Sequence, residues 1–231
     1  MNINTLLKKF WVFSKYFVLL FLLFTISGVV IYRFIPVPFT SLMFQRMCED
    51  VGKGRKIYIC HKWVPYEKIS PYMIQAVIAS EDNNFVHHFG IDYEAIQKAY
   101  EHNKKGRRIR GASTITQQTS KNVFLWIDRT YLRKSIELYY TYMIEIIWGK
   151  HRIMEVYLNS IEMGDGIFGI ESASLTYFHK HASKLTKGEA AIIAAAFPNP
   201  RKRNPASPGG YLVGRQQAIM NLMSKLPPVE L

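Results

Sequence analysis

At 231 residues, with 30 lysines and arginines against 17 acids and a formal charge of +13, the chain is long enough for one domain with a real core and perhaps a small subdomain. The positive balance favours anionic partners, whether nucleic acid, an anionic membrane surface or phosphate-bearing substrates. There is no zinc-finger spacing, basic zipper or aromatic RNA-binding signature, which sets nucleic acid aside and leaves membrane and phosphate.

The first predicted element is apolar. Tyr16 to Tyr32, "YFVLLFLLFTISGVVIY", carries no charge and is bounded by Lys15 and Arg33. As a helix it covers about 26 Å, close to the thickness of a hydrocarbon core, and Trp11 to Ser14 extend it. Lys8, Lys9 and Lys15 precede the run while only Arg33 follows closely, so the N-terminus is expected in the cytoplasm and the rest across the membrane. No small-x-small cleavage site follows, which favours a retained anchor over a signal peptide. The expected division is 1–10 cytoplasmic, 11–32 transmembrane, 33–65 membrane-proximal and 66–231 a globular domain. "RFIPVPFT" is a proline-punctuated exit, and "PFTSLMFQ" has the aromatics to dip into the interface. Cys48 and Cys60 could pair in an oxidising compartment or remain two thiols; neither has metal-ligand spacing.

From Ile69 onward the pattern is mostly helical. "ISPYMIQAVIASE" shows Ser70 as N-cap, Pro71 at the first helical position and Ile69 with Ile74 as a staple. "GIDYEAIQKAYEHNKKG" is a helix capped by Asp92 and stopped near Gly106. "TYLRKSIELYYTYMIEIIWG" puts Leu132, Ile136, Tyr139, Met143 and Ile147 on one apolar stripe, ending at Gly149, and "KHRIMEVYLNSIEMG" resumes as a second helix. "TKGEAAIIAAAFP" starts with a capping box, Thr186 and Glu189, and stops at Pro198; apolar on nearly every side, it is the expected centre of the domain. No alternating run is long enough for a large sheet. The fold class is mainly α.

Chemistry gathers in three stretches. In "ASEDNNFVHHFG", a helix from Pro71 puts Ile74, Val77, Ile78 and Glu81 on one face. A carboxylate one turn beyond apolar residues is partly desolvated, which raises its pKa toward what a general base needs; a solvated helix-ending acid weighs equally on position alone. Asp82 could cap the next turn or hold a neighbouring base. Phe85 reads as core. His87 and His88 diverge too far for a shared metal, so one of them reads as a structural hydrogen-bonder. In "RIRGASTITQQTSKN", after the basic "NKKGRR", Ser113, Thr114, Thr116, Gln117 and Gln118 suit sugar hydroxyls, while a helix start with Lys121 downstream suits a diphosphate. In "RKSIE", Arg133 and Glu137 form either a surface i, i+4 pair or, turned inward, a phosphate-binding pair.

Together these stretches resemble the peptidoglycan glycosyltransferases. "EDNNFVHHFG" resembles that family's first motif, "GASTITQQTSKN" its second, "RKSIE" its third and "KHRIMEVYLN" its fourth, in matching order between about Tyr66 and Pro208. The chain has no Ser-x-x-Lys and little sequence after the last motif, as in the monofunctional members rather than those fused to a penicillin-binding transpeptidase. The resemblance implies a lysozyme-like α fold, an anchor in the bacterial inner membrane and a periplasmic domain. It implies polymerisation of lipid II into β-1,4 glycan with inversion and release of undecaprenyl diphosphate. By it Glu81 is the general base and Glu137 the second essential acid, acting directly or through a divalent cation, Mg or Mn. Lys121 and Arg133 match the diphosphate contacts; Asp82, Phe85, His88, Ser113, Thr114, Gln118 and Asn122 match positions around base and substrate. Glu155, in the fourth motif, is scaffold. The implied partners are lipid II, the growing glycan, membrane phospholipid and proteins of wall synthesis or division, with no nucleic acid. A lytic enzyme of lysozyme-like fold and a non-catalytic anchored adaptor are the competing readings.

Overall fold

The computed structural model describes residues 3–106, 111–128, 130–227, 229 and 231, with side chains from residue 7 onward. It divides into two compact units, Met1–Pro36 and Val37–Leu231.

The first unit is one helix, α1 (Ile3–Phe34), which contains the expected transmembrane span 11–32. Its stretch Leu7–Phe34 has a mean hydropathy of 2.2 and is long and apolar enough to cross a membrane. Phe10, Trp11, Phe13, Phe17 and Phe24 keep their rings exposed, as lipid-facing side chains would.

The second unit starts earlier than the expected domain boundary at 66. Helix α2 (Ser41–Gly52) is capped by Thr40, whose hydroxyl accepts from Met43 N at 3.2 Å. Leu42 and Met43 are buried against Phe168. Three of the eight residues of "PFTSLMFQ", Thr40, Leu42 and Met43, are therefore core, and Phe39 and Phe44 are left exposed. The sequence reading treated this stretch as interfacial because apolar residues at a helix face serve either surface equally well.

Three short strands, β1 (Cys60–His61), β2 (Glu162–Gly164) and β3 (Ile167–Phe168), form a small sheet in the order β1-β3-β2. β1 runs parallel to β3 and β2 antiparallel to it. The turn between β2 and β3 needs Gly166: at φ +70° an added Cβ would lie 2.3 Å from Tyr58 O. Both cysteines are free.

The remainder is helical. α3 (Pro71–Glu81) starts at Pro71 as expected, but Ser70 gives its side chain to Leu185 O at 2.8 Å instead of capping. α4 (Tyr93–Lys104) is capped by Asp92, which accepts from Ala95 N at 2.8 Å. α5 (Ile115–Phe124) has a capping box made by Thr114 and Gln117. α6 (Tyr131–Ile147) meets α7 (Gly149–Ser160) at Gly149, whose φ of +72° turns the chain. α8 (Ile170–Phe178) follows the sheet. α9 (Lys187–Ala196) has the expected Thr186–Glu189 capping box, and every residue from Ala190 on is buried. α3 and α10 (Gly210–Met223) pack against it and against each other.

On α6 the apolar stripe is not the buried face, and the inward-turned alternative for Arg133 and Glu137 is the one found. None of Leu132, Ile136, Tyr139, Met143 and Ile147 is buried, and Leu132 is 67% exposed. The buried face is Arg133, Glu137, Tyr140, Thr141, Ile144 and Glu145. Polar residues turn inward here because they find buried partners: Thr116 donates to Glu145 at 2.7 Å, Lys150 donates to it at 2.7 Å, and Thr141 donates to Glu137 O at 2.7 Å. Satisfied this way, buried polar groups cost little.

Candidate active site

Glu81 is the last residue of α3, and the apolar side chains one turn before it, Val77 and Ile78, are buried. The segment that follows is a series of turns, fixed by Asp82. Its Oδ1 lies 2.9 Å from His88 Nε2, and its Oδ2 accepts from Ile115 N at 3.0 Å. One carboxylate thus joins the Glu81 turn to the start of α5. Gly90, at φ +76°, lets this turn pass α6; a Cβ there would lie 2.7 Å from Thr141 Cγ2. Thr114 completes the joint, donating to Gly90 O at 2.7 Å.

The carboxyl of Glu81 is largely buried at the wall of a cleft, and burial pushes its pKa above the ordinary value. Gln118 Nε2 donates to its Oε2 at 3.1 Å and, with the charges of Arg215 and Lys121, pulls the pKa back down; neighbouring Asp82 pushes it up. Lys121 is itself lowered, first by burial, while Glu137 and Glu81 hold it charged against Arg133 and Lys134. Lys121 therefore lies within electrostatic reach of both acids.

The third stretch turns inward. Arg133 is 9% exposed and Glu137 3%. Arg133 Nη1 donates to one Glu137 oxygen and Lys134 Nζ to the other. Arg133 Nε is buried and makes no hydrogen bond, leaving a donor for an anion. With Lys121 this makes three cations around one acid. Such a cluster suits a diphosphate. It does not suit a divalent cation beside Glu137, whose two oxygens are already engaged by cations. No group of three His, Cys, Asp or Glu side chains able to hold a metal occurs among the described residues.

A cleft of about 390 Å³ is lined by Glu81, Asp82, Ser113, Thr114, Lys98 and Arg215. Of the residues singled out in the sequence, Glu81, with one oxygen held by Gln118, and exposed Ser113 reach it, whereas Asp82 and Thr114 stand on its wall with their polar atoms committed to the fold. Phe85 is fully buried, with Lys150 Nζ 4.5 Å from its ring centroid. His88 serves Asp82, the structural hydrogen-bonding role expected for one of the histidine pair. Asn122 is buried on α5. Glu155 pairs with Arg152 at 2.7 Å, and Asn159 below it holds both Val64 N and Val64 O, so the fourth motif is scaffold. Residues 107–110, part of the basic stretch before Gly111, lie outside the described residues.

The sequence reading missed Arg215 and Lys134. Arg215 lines the cleft, acts on Glu81 and has a buried Nε without a hydrogen bond. It stands on α10, beyond the motifs, in a stretch with no pattern of its own. Lys134 sits inside "RKSIE", where its neighbour drew the attention.

The family model described as "Transglycosylase" matches residues 53–224, a span that takes in α10. A biosynthetic peptidoglycan transglycosylase of Bacteroides thetaiotaomicron is 48% identical over 227 residues, 97% of this chain and 92% of that protein. One of Bdellovibrio bacteriovorus is 47% identical over 211 residues, covering 91% and 84%. One of Yersinia pseudotuberculosis is 46% identical over 221 residues, covering 95% and 92%.

Proposed function

The chain belongs to the transglycosylase family, and from that membership we infer that it is a peptidoglycan glycosyltransferase, polymerising lipid II into β-1,4-linked glycan on the lysozyme-like fold of that family. Glu81 is the general base. Its carboxylate takes the proton from the 4-hydroxyl of the acceptor N-acetylglucosamine, and that oxygen forms the new bond to C1 of the donor N-acetylmuramic acid. The bond from C1 to the diphosphate oxygen breaks with its electron pair, and attack from the opposite face converts the α link to β.

The leaving undecaprenyl diphosphate carries away negative charge. Lys121, Arg133 and Lys134 balance it, and preorganised cations stabilise such charge more in a partly dry site than in water. Glu137 holds Arg133 and Lys134 in place. Ser113 meets the sugar at the cleft rim. No step requires a metal.

One observation carries this reading: a largely buried carboxylate and a cluster of three cations are joined through Lys121, which interacts with the acids of both. A lytic enzyme has no use for the cation cluster.

The anchor fits a substrate that stays in the bilayer. α1 can carry the chain across the inner membrane with its N-terminus in the cytoplasm and the catalytic unit in the periplasm, where phospholipid, the growing strand and other wall-synthesis or division proteins are within reach.

The test compares wild type and Glu81→Gln on lipid II and on purified sacculi. Polymer from lipid II, lost by about 10²-fold or more in the variant, is expected from removal of a positioned base. Release of fragments from sacculi, or a variant that polymerises normally, would overturn the reading.

A further inference from the structure

Tyr157, on α7 within the fourth motif, is fully buried and has no part in the chemistry described above. Its hydroxyl nevertheless lies 3.4 Å from Gln118 Oε1, and the other end of that amide, Nε2, donates to Glu81 Oε2 at 3.1 Å. A primary amide has two unlike ends, a carbonyl that accepts and an NH2 that donates. A hydroxyl donating to the carbonyl, together with the carboxylate that accepts from the NH2, favours the orientation that turns the donor end to Glu81.

We propose that Tyr157 is a positioning residue: through Gln118 it keeps an amide donor, and not an amide oxygen, against Glu81, and so holds Glu81 ready to accept a proton. With the amide reversed, its oxygen would face the carboxylate. Two acceptors at that distance repel unless one carries a proton, so the reversed amide favours protonated Glu81, which is no base. The charged groups acting on Glu81 are Asp82 beside it, Lys121 on α5 and Arg215 on α10. None of them depends on which way the amide points.

Tyr157 suits this task. Burial raises its pKa well above that of an ordinary tyrosine, with the negative charges of Glu81 and Asp82 adding to the effect. It therefore remains a donor across the pH range in which a carboxylate base works. The surrounding packing holds its ring still: Tyr157 and Phe197 meet edge to face with centroids 6.5 Å apart.

The proposal rests on Glu81 being the base, and the experiment separates the two. Full-length wild type, Tyr157→Phe, Gln118→Met and the double variant are assayed on lipid II across pH 5.5–9. Tyr157→Phe is expected to lose about 3–10-fold in rate near pH 6, roughly one hydrogen bond's worth, and to recover to within about two-fold near pH 9, with KM unchanged. In the Gln118→Met background the tyrosine substitution should add no further shift of the acid limb. A uniform loss at every pH, or shifts that add in the double variant, would make Tyr157 a packing residue and overturn the proposal. If Glu81→Gln polymerised normally, the base assignment would fail by itself, whatever the tyrosine variants did.

Discussion

Asn159→Ala isolates the scaffold role of the fourth motif. Asn159 is fully buried and makes three side-chain hydrogen bonds: Oδ1 accepts from Val64 N at 2.9 Å, and Nδ2 donates to Val64 O and Glu155 O, each at 2.8 Å. It ties the segment between β1 and α3 to α7, a junction with no ladder of backbone hydrogen bonds. Each such bond contributes about 1 kcal/mol net, and an orphaned buried group costs about 1–3 kcal/mol. Alanine removes all three and strands both polar groups of Val64, itself buried, so the expected loss is about 3–5 kcal/mol. For a domain of roughly 150–250 residues, each kcal/mol moves Tm by about 2–4 °C, which gives a fall of about 6–20 °C. The assay is a thermal melt of the full chain in detergent, followed by near-UV circular dichroism, with exposed Asn199→Ala as control. Below its melting point the variant should keep most of its polymerisation rate. A Tm within about 3 °C of wild type would refute the bookkeeping, and a folded but inactive variant would put Asn159 in the site.

Arg215→Ala removes a charge that lowers the Glu81 pKa, so the acid limb of the pH–rate profile should move to higher pH, with a larger rate loss at pH 6 than at pH 8; an unmoved limb would deny the contact. Glu81→Gln should also change stability. Because burial raises the folded-state pKa above 4.5, the native state holds its proton more tightly than the unfolded chain, and stability falls as pH rises through that window. The variant should therefore melt above wild type at pH 8, the gain shrinking toward pH 4, and melts at both values check the sign.

Much of the architecture was legible because local rules agreed with the packing. Pro71, Asp92 and the Thr186–Glu189 box start helices where the structure has them, since each acts through its own backbone neighbours. α6 shows where local rules stop. Its sequence offers both an apolar stripe and an inward-turned Arg133–Glu137 pair, and the partners that draw Arg133, Glu137 and Glu145 inside come from its own turns, from α5 and from α7. Periodicity cannot see partners distant in the chain. The same limit hid Arg215, which comes within electrostatic reach of Glu81 because α3 and α10 pack on α9 and on each other. At the site, motif membership identified the right residues without separating tasks. Glu81 and Ser113 open onto the cleft, while Asp82, Thr114, Phe85 and His88 hold the turn that presents them, a distinction that depends on which hydrogen bonds are already made.

The run of alanines in α9 has a mechanical consequence. Methyl groups let neighbouring helices approach closely, and α3 and α10 each pack on this run as well as on each other. One neighbour ends in the carboxylate of Glu81, and the other carries the guanidinium of Arg215. A helix without a reactive atom thus helps set where acid and cation stand, and a bulkier residue there, by displacing either neighbour, would be felt first in the proton affinity of position 81.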